Sequence, residues 1–427
     1  MLSRNVHTAG ILLVACVCTL RIGGVADSPD CLAAPCITTV DDDATGFGTF
    51  QSHNQKVVST RFGIFMTYVK TPFDGATARL VRSVDGGRTF DTVWETVAST
   101  HAPALEAAAD GTLYLVHGDA VTLAAYFYRL SPGTSFAPEL LATIYGAHAQ
   151  KYSLLLDESR GRLYYAAYVG PETRFVTLDT TGTVVSNYQL TGGERHALPS
   201  YPRMTMSDGV LYMAWSTDFI DSALDDAVKN YYSIHAIRSR DGGMTWRSLS
   251  GVPLVPPFVG DQGGSTSEIT HASERPCSTW LGAFAVLGQK AHFIYKNAGN
   301  NGDLPCRLRE TMRYQRFDAA TGVREIDVSE FAPAKVLFDS RDGFIALSPR
   351  EGRLFFSGRT ASGQLAIVSS SDDGQTWARQ SLSERLRDNI YAVGGQRVVT
   401  GDRQVIGSFT DDDNPAAVRF FRSVVTR

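Results

Sequence analysis

The chain lacks any apolar run long enough to cross a membrane as a helix. Its longest, residues 9–20, falls short of the roughly 20 residues a spanning helix needs. It lacks a basic excess: 40 Lys and Arg stand against 44 Asp and Glu, a net charge of −4. That balance argues against a nucleic-acid partner. No C-x₂-C pair occurs, so the usual spacing of a zinc site is missing. No long segment carries a helical period. What the chain does hold is aromatic and apolar material, 22 Phe, 17 Tyr and 5 Trp, too much for a disordered chain. It also holds 39 Gly, which suits many tight turns.

Arg4 precedes the apolar run, and the small residues Gly23, Gly24 and Ala26 follow it. This is the order of a secretory signal. Cleavage after Ala26 would remove two arginines and no acid, taking the net charge to −6. Leu13-Val14-Ala15-Cys16 also reads as a lipobox, in which Cys16 would carry a lipid anchor. The expectation is a secreted or surface-anchored monomer with no transmembrane span. Residues 1–26 are the signal, 27–50 an N-terminal segment with a ring-closing strand, and 51–427 one domain. Past the signal, Cys31, Cys36, Cys277 and Cys306 remain, an even number as an oxidising compartment favours. The expected pairs are Cys31–Cys36 and Cys277–Cys306, one of three connectivities.

One motif recurs three times, at Ser83-Val-Asp85-Gly-Gly87-Arg-Thr89-Phe90, at Ser239-Arg-Asp241-Gly-Gly243-Met-Thr245-Trp246 and at Ser370-Ser-Asp372-Asp-Gly374-Gln-Thr376-Trp377. The shared pattern is S-x-D-x-G-x-T-[WF]. Ser and Asp can bond nearby backbone N–H groups, and Gly can supply the positive φ of a tight turn. The aromatic residue begins the next strand. This pattern resembles the Asp-box, or BNR repeat, of sialidase-like β-propellers, where it joins the third and fourth strands of a blade and is structural. The resemblance therefore implies that Asp85, Asp241 and Asp372 are not catalytic.

Between the boxes a turn followed by a Leu-, Tyr- and Phe-rich strand recurs seven times, starting near residues 63, 111, 161, 209, 291, 352 and 404. Short strands at this spacing predict an all-β, seven-bladed propeller of four-stranded antiparallel blades. Six blades is the runner-up count. The last blade has about three strands of its own, so a strand near 37–50 is expected to close it and remove the free edge.

In a propeller the first strand of each blade lines the central channel, and in Asp-box propellers its N-terminal end opens on the active face. Counting back about ten residues from each second-strand turn gives His53 with Asn54, His101, Lys151 with His148, Tyr201 with Arg203, Asp342 and Tyr391. Trp280 holds the equivalent place in blade five, and Arg397 is a further candidate. Any one of these suits a solvated strand start; three His and two Tyr at equivalent positions point to a functional site. His117, His196, His235 and His292 are read as structural or surface residues.

A sialidase-like site would need three Arg and an R-I-P motif at the start of blade one. Here Ser52-His53-Asn54-Gln55 stands in that place and no R-I-P occurs. His, Tyr and Arg suit β-elimination on a uronate-containing polysaccharide instead. A base removes the C5 proton, an acid protonates the leaving oxygen, and a cation neutralises the carboxylate. Residues 239–254 resemble the extended Asp-box of a BNR-repeat family that includes ulvan lyases, related rhamnose–glucuronate lyases and rhamnosidases. That resemblance implies His101 and His148 as base candidates, Tyr201 as the second acid/base and Arg203 as the carboxylate partner. His53, Asn54, Lys151, Trp280, Asp342, Tyr391 and Arg397 would bind substrate. Two alternatives stay open: a propeller that only binds a glycan or a protein, and a sialidase-like or other glycosidase using carboxylates among Glu106, Asp218, Glu268 and Asp342. No cofactor is expected. Residues 41–43 and 411–413 could bind structural calcium, although solvated loop acids are the simpler reading.

Overall fold

The computed structural model describes residues 34–50, 53–70, 76–97, 99–119, 121–148, 151–170, 172–192, 197–220, 229–259, 266–274, 278–298, 311–386, 390–411 and 416–425. They build seven sheets arranged as a propeller, antiparallel except where Phe258–Val259 adds a short parallel pairing to the outer strand Val184–Gly192 of blade three. Blade one is Val57–Thr60, Gly63–Val69, Ala78–Ser83 and Asp91–Thr96. Blades two to six begin with Ala104–Ala107, Lys151–Asp157, Ala197–Ser207, Ser278–Leu287 and Phe338–Ser348. Blade seven holds Ile390–Gly395, Gln404–Asp411 and Ala416–Val424, and takes its outer strand, Cys36–Ala44, from near the chain's start. Cys36 pairs with Arg422 and Ala44 with Ala416, across two bulges.

Strand composition follows position. Second and third strands lie between neighbouring blades, covered on both faces, so they read as continuous apolar runs rather than alternating ones. Gln404–Asp411 and Leu365–Ser370 are buried at every position, whereas the outer strand Asp91–Thr96 has no buried residue. Seven of the core clusters accordingly form a ring, one between each pair of adjacent blades, with two smaller clusters beside it. Phe65 and Leu80 meet Leu113 and Phe136 between blades one and two. Val57, Met66 and Tyr68 meet Ile406 and Phe420 across the closing interface.

The recurrent motif occupies the turn between third and fourth strands of blades one, four and six. In the first copy Asp85 accepts from the backbone N–H groups of Arg88 and Thr89 at 3.0 Å each. It also accepts from the hydroxyls of Ser83 and Thr89 at 2.7 Å, and Gly87 donates to Ser83 Oγ at 2.8 Å. The second and third copies repeat this scheme through Asp241 and Asp372. Gly87, Gly243 and Gly374 all have φ between 82° and 90°. A Cβ at these positions would overlap Phe420, Phe175 and Tyr314 respectively, each from the third strand of the preceding blade. Glycine is thus required twice over, by the turn and by the neighbouring ring.

Several expectations fall outside the described residues: the signal with Cys16, the cysteine pairs (Cys31, Cys277 and Cys306), His196, and Asp412 and Asp413. Among the described residues no helix is long and apolar enough to cross a membrane. Nor does any group of three or more His, Cys, Asp and Glu among them suit a metal ion. Asp41 is committed elsewhere, accepting from Lys70 Nζ at 2.7 Å and Tyr68 Oη at 2.8 Å, with Arg79 at 3.4 Å.

Candidate functional site

The N-terminal ends of the first strands converge at one mouth of the channel, and each is held there by its neighbours. In blade one, Thr67 donates its backbone N–H to the Lys56 carbonyl, and Leu105 of blade two donates to that of Gln55. His101 rides on a segment pinned by Ser99 Oγ, which donates to the His101 carbonyl at 2.7 Å, and by Tyr152 Oη, which donates to the Ala102 carbonyl at 3.0 Å. The first strands of blades four to seven are bulged where they enter the mouth: between Ser200 and Arg203, Leu281 and Ala283, Phe338 and Gly343, and Tyr391 and Gly394. Bulges re-aim side chains. Tyr201 sits in the first of them with φ 57°, a strained conformation for an aromatic residue that the surrounding structure must hold in place.

The side chains so placed form one cluster. The rings of Tyr201 and Trp280 stand 4.3 Å apart, Tyr231 and Trp280 4.4 Å, and the Tyr201 and Tyr231 hydroxyls 3.3 Å. Lys151 Nζ lies 4.4 Å from the Tyr201 ring centre and donates to Ser200 Oγ at 3.3 Å. The His53 ring meets Tyr201 edge-on at 5.4 Å, and Phe50 lies 5.4 Å from His101. Asn54, Lys56, Arg203 and Asp342 are buried beside them, with Lys56 Nζ bonded to Asn54 Oδ1.

Cations dominate the electrostatics. Burial lowers the Lys56 ammonium to about 7, with Asp342 opposing and Arg203 reinforcing the shift. Burial likewise lowers Arg203 to about 9, against the pull of Asp342 and with Arg397 adding to the fall. Desolvation, then Lys56 and Lys151, take His101 down to about 4. His53 is held well below its usual value by burial, Lys56 and Arg203, and the Tyr152 backbone opposes them only in part. His101 keeps an exposed edge, and its Nδ1 is buried without a hydrogen-bond partner. Both imidazoles are therefore neutral near pH 7 and have lone pairs to offer.

The mouth thus brings together His53, Asn54, His101, Lys151, Tyr201, Arg203, Trp280 and Asp342. His148 leads into blade three with its Nδ1 buried, and no contact among the described residues joins it to the cluster. Tyr391 opens the first strand of blade seven opposite Thr410, and its side chain is outside the described set. Arg397 lies deeper. It pairs with Glu106, donates to the Leu154 carbonyl at 2.8 Å, and plugs the channel rather than lining the mouth. A cavity of about 690 Å³ on the far side of this plug is lined by Arg61, Glu106, Glu158, Arg397 and Asp402. Glu268 bridges the third strand of blade four at His235, and the Asp218 side chain is outside the described set.

Two members escaped the sequence reading. Lys56 follows the counted position by three residues; a lysine opening the apolar run Val57-Val58 was the available signal. Tyr231 enters from a third strand, which also begins at this mouth because third strands run parallel to first strands. His117, His235 and His292 are buried within the blades, His235 between Ser233 Oγ at 3.0 Å and Ser267 Oγ at 2.9 Å, and His292 against Tyr314 Oη at 2.9 Å.

No family model matches the chain, and no curated protein does. Solved structures do. A polysaccharide lyase PL25 ulvan lyase, solved bound to -[GlcA(1-4)Rha3S]-, is similar with a TM-score of 0.65 at 13% identity, over 89% of this chain and 94% of that one. The polysaccharide lyase Uly1 follows at 0.60 and 11%, over 92% and 100%. A chain of the mitotic checkpoint complex also matches, at 0.51 and 11%, over 94% and 98%. At these identities the likeness is one of fold.

Proposed function

We propose that this propeller cleaves an acidic, uronate-containing polysaccharide at the funnel mouth by β-elimination, outside the cytoplasm. The observation that carries this reading is the meeting of neutral imidazoles, a paired tyrosine hydroxyl and three cations in one buried cluster. His101 takes the C5 proton; the electron pair forms the C4–C5 double bond; the C4–O bond breaks and its oxygen takes a proton from Tyr201. Arg203 and Lys56 face the sugar carboxylate, whose charge grows as the enolate forms. The ammonium groups that depress His101 are those a carboxylate would neutralise, so substrate strengthens its own base. Trp280 and Tyr231 pack against Tyr201 and hold its ring at the mouth.

The likeness in fold to two polysaccharide lyases supports the reading. A sialidase mechanism is disfavoured. Among the described residues Arg203 is the one arginine in the mouth cluster, since Arg397 is committed to Glu106. A carboxylate-pair glycosidase fares no better, with Asp342 set between Lys56 and Arg203.

The test is a panel of acidic and neutral polysaccharides, followed by ultraviolet absorbance of unsaturated uronate and by reducing-end release. Absorbance that rises with the wild type and vanishes in Tyr201→Phe is expected. Reducing ends without absorbance would make it a hydrolase, and silence in both channels a binding propeller.

A further inference from the structure

At the end of the propeller opposite the mouth, a cavity of about 680 Å³ lies between blades one and seven. Arg61 and Phe62 line it from the turn after the first strand of blade one, Arg82 from the third strand of that blade, and Arg422 from the third strand of blade seven. Asp402 lines it from the turn before Gln404–Asp411. The lining thus holds three arginines and one acid. Arg61 stands over the Phe62 ring, 4.8 Å from its centre, and no hydrogen bond or ion pair with a described residue holds it. Arg82 gives Nε and Nη2 to the Phe62 carbonyl at 2.9 and 2.6 Å, and its Nη1 has no hydrogen-bond partner among the described residues. Arg422 reaches the motif turn of blade one, where its Nη1 lies 3.8 Å from the place a Cβ on Gly86 would take. Asp402 forms no ion pair with a described cation, Arg61 included.

We propose that this cavity is a second glycan site, separate from the mouth, which takes an acidic sugar unit with its carboxylate or sulfate group on Arg61 and Arg82 and a hydroxyl on Asp402. Guanidinium groups suit such oxyanions because their planar forks match two oxygens at once. The volume is that of an ordinary small-molecule pocket. Asp402 favours a sugar over a bare anion, since a carboxylate repels an oxyanion but accepts from a hydroxyl. The cavity also has room for more than one unit. Ser59, Thr60, Arg61 and Asp402 line both it and the cavity of about 690 Å³ under the Arg397 plug, so the two are continuous toward the axis. There Glu106 is neutralised by Arg397, and Glu158 is tied to the Ala109 N–H at 3.1 Å. The excess of positive charge therefore sits on the side of blades one and seven. The inference does not rest on chemistry at the mouth. It suits an enzyme that grips its polymer away from the cut as well as a propeller that only binds.

The test follows the isoleucine methyl signals of the labelled protein by nuclear magnetic resonance, because Ile64 and Ile406 line this cavity and report on it apart from the mouth. D-Glucuronate and glucose sulfate are the probes, with glucose as the neutral control and inorganic sulfate as the bare anion. Either or both acidic sugars are expected to shift the two signals saturably, glucose not at all, and inorganic sulfate only at higher concentration. A response to one of the two sugars alone names the acidic group that the site takes. Added salt should weaken the binding. Arg61→Gln should weaken it about tenfold, the loss of one charge-assisted hydrogen bond, with thermal melting checking the fold. Tyr201→Phe, a change at the mouth, should leave the response as it is in the wild type. Signals that move with neither acidic sugar, that saturate equally with inorganic sulfate, or that respond alike in Arg61→Gln would overturn this inference, whatever the mouth proves to do.

Discussion

His101 shows how position sets chemistry at the residue scale. An exposed imidazole titrates near 6.5, but burial and two lysines hold this one at about 4. A base must be unprotonated to act, so activity should be lost only as pH falls through about 4. The acid limb of kcat/KM, which reports the free enzyme, should therefore sit near 4 and not near 6.5. An acid limb near 6.5 would remove His101 from the role. His101→Ala should lower kcat by roughly 10²–10⁴-fold while leaving thermal unfolding close to wild type, because the ring bridges no core cluster. Much of this site was legible as position, since strand starts can be counted from the turns that follow them. What could not be counted is how a bulge re-aims Tyr201 and Arg203, or that Lys56 is buried within reach of charges from blades four and six. Both depend on contacts between different blades, from Tyr201 with Trp280, 79 residues on, to His53 with Tyr201, 148 residues on.

At the scale of the element, the three motif hairpins act between blades as well as within them. The Asp oxygens organise the turn, and the glycine lets it lie flat on the ring of the blade before. Gly243→Ala places a methyl group at φ 90° against Phe175. It should cost roughly 2–4 kcal/mol, the sum of backbone strain and overpacking. Part of that cost should return in the double variant with Phe175→Leu, read as a coupling energy from denaturant unfolding. A cost below about 0.5 kcal/mol would show that the turn is free to move off its neighbour. The motif marks three blades only. Elsewhere the same connection is made differently: through Asp179, which accepts from the N–H groups of Thr181 and Thr183, and through Asp318, which accepts from those of Ala320 and Thr321. Second strands were readable in all seven blades because they are buried on both faces. Fourth strands were not, because the solvent side asks little of their sequence.

On the scale of the whole molecule, stability is distributed around a ring and no single centre holds it. Each core cluster takes side chains from two blades, so an interface that opens exposes apolar surface on both. Six interfaces would form in an open array; the seventh depends on bringing residues near 40 back to residues near 420, across almost the entire chain. Cys36–Ala44 does this as the outer strand of blade seven, with Val40 and Ala44 packed against the closing cluster and Ile37 against its neighbour. Thr49 secures the crossing, its N–H and hydroxyl bonding to Thr410 Oγ1 at 2.9 and 2.8 Å. A chain that starts at residue 46 keeps every other strand of the fold but leaves Ala416–Val424 as an unpaired edge. Losing the partly buried apolar side chains should cost about 2–4 kcal/mol, and the bare edge should recruit another copy. The shortened chain should therefore unfold at lower denaturant and elute from a sizing column as dimers or larger species. A monomer with an unshifted midpoint would mean that the ring is closed by its side-chain interfaces alone.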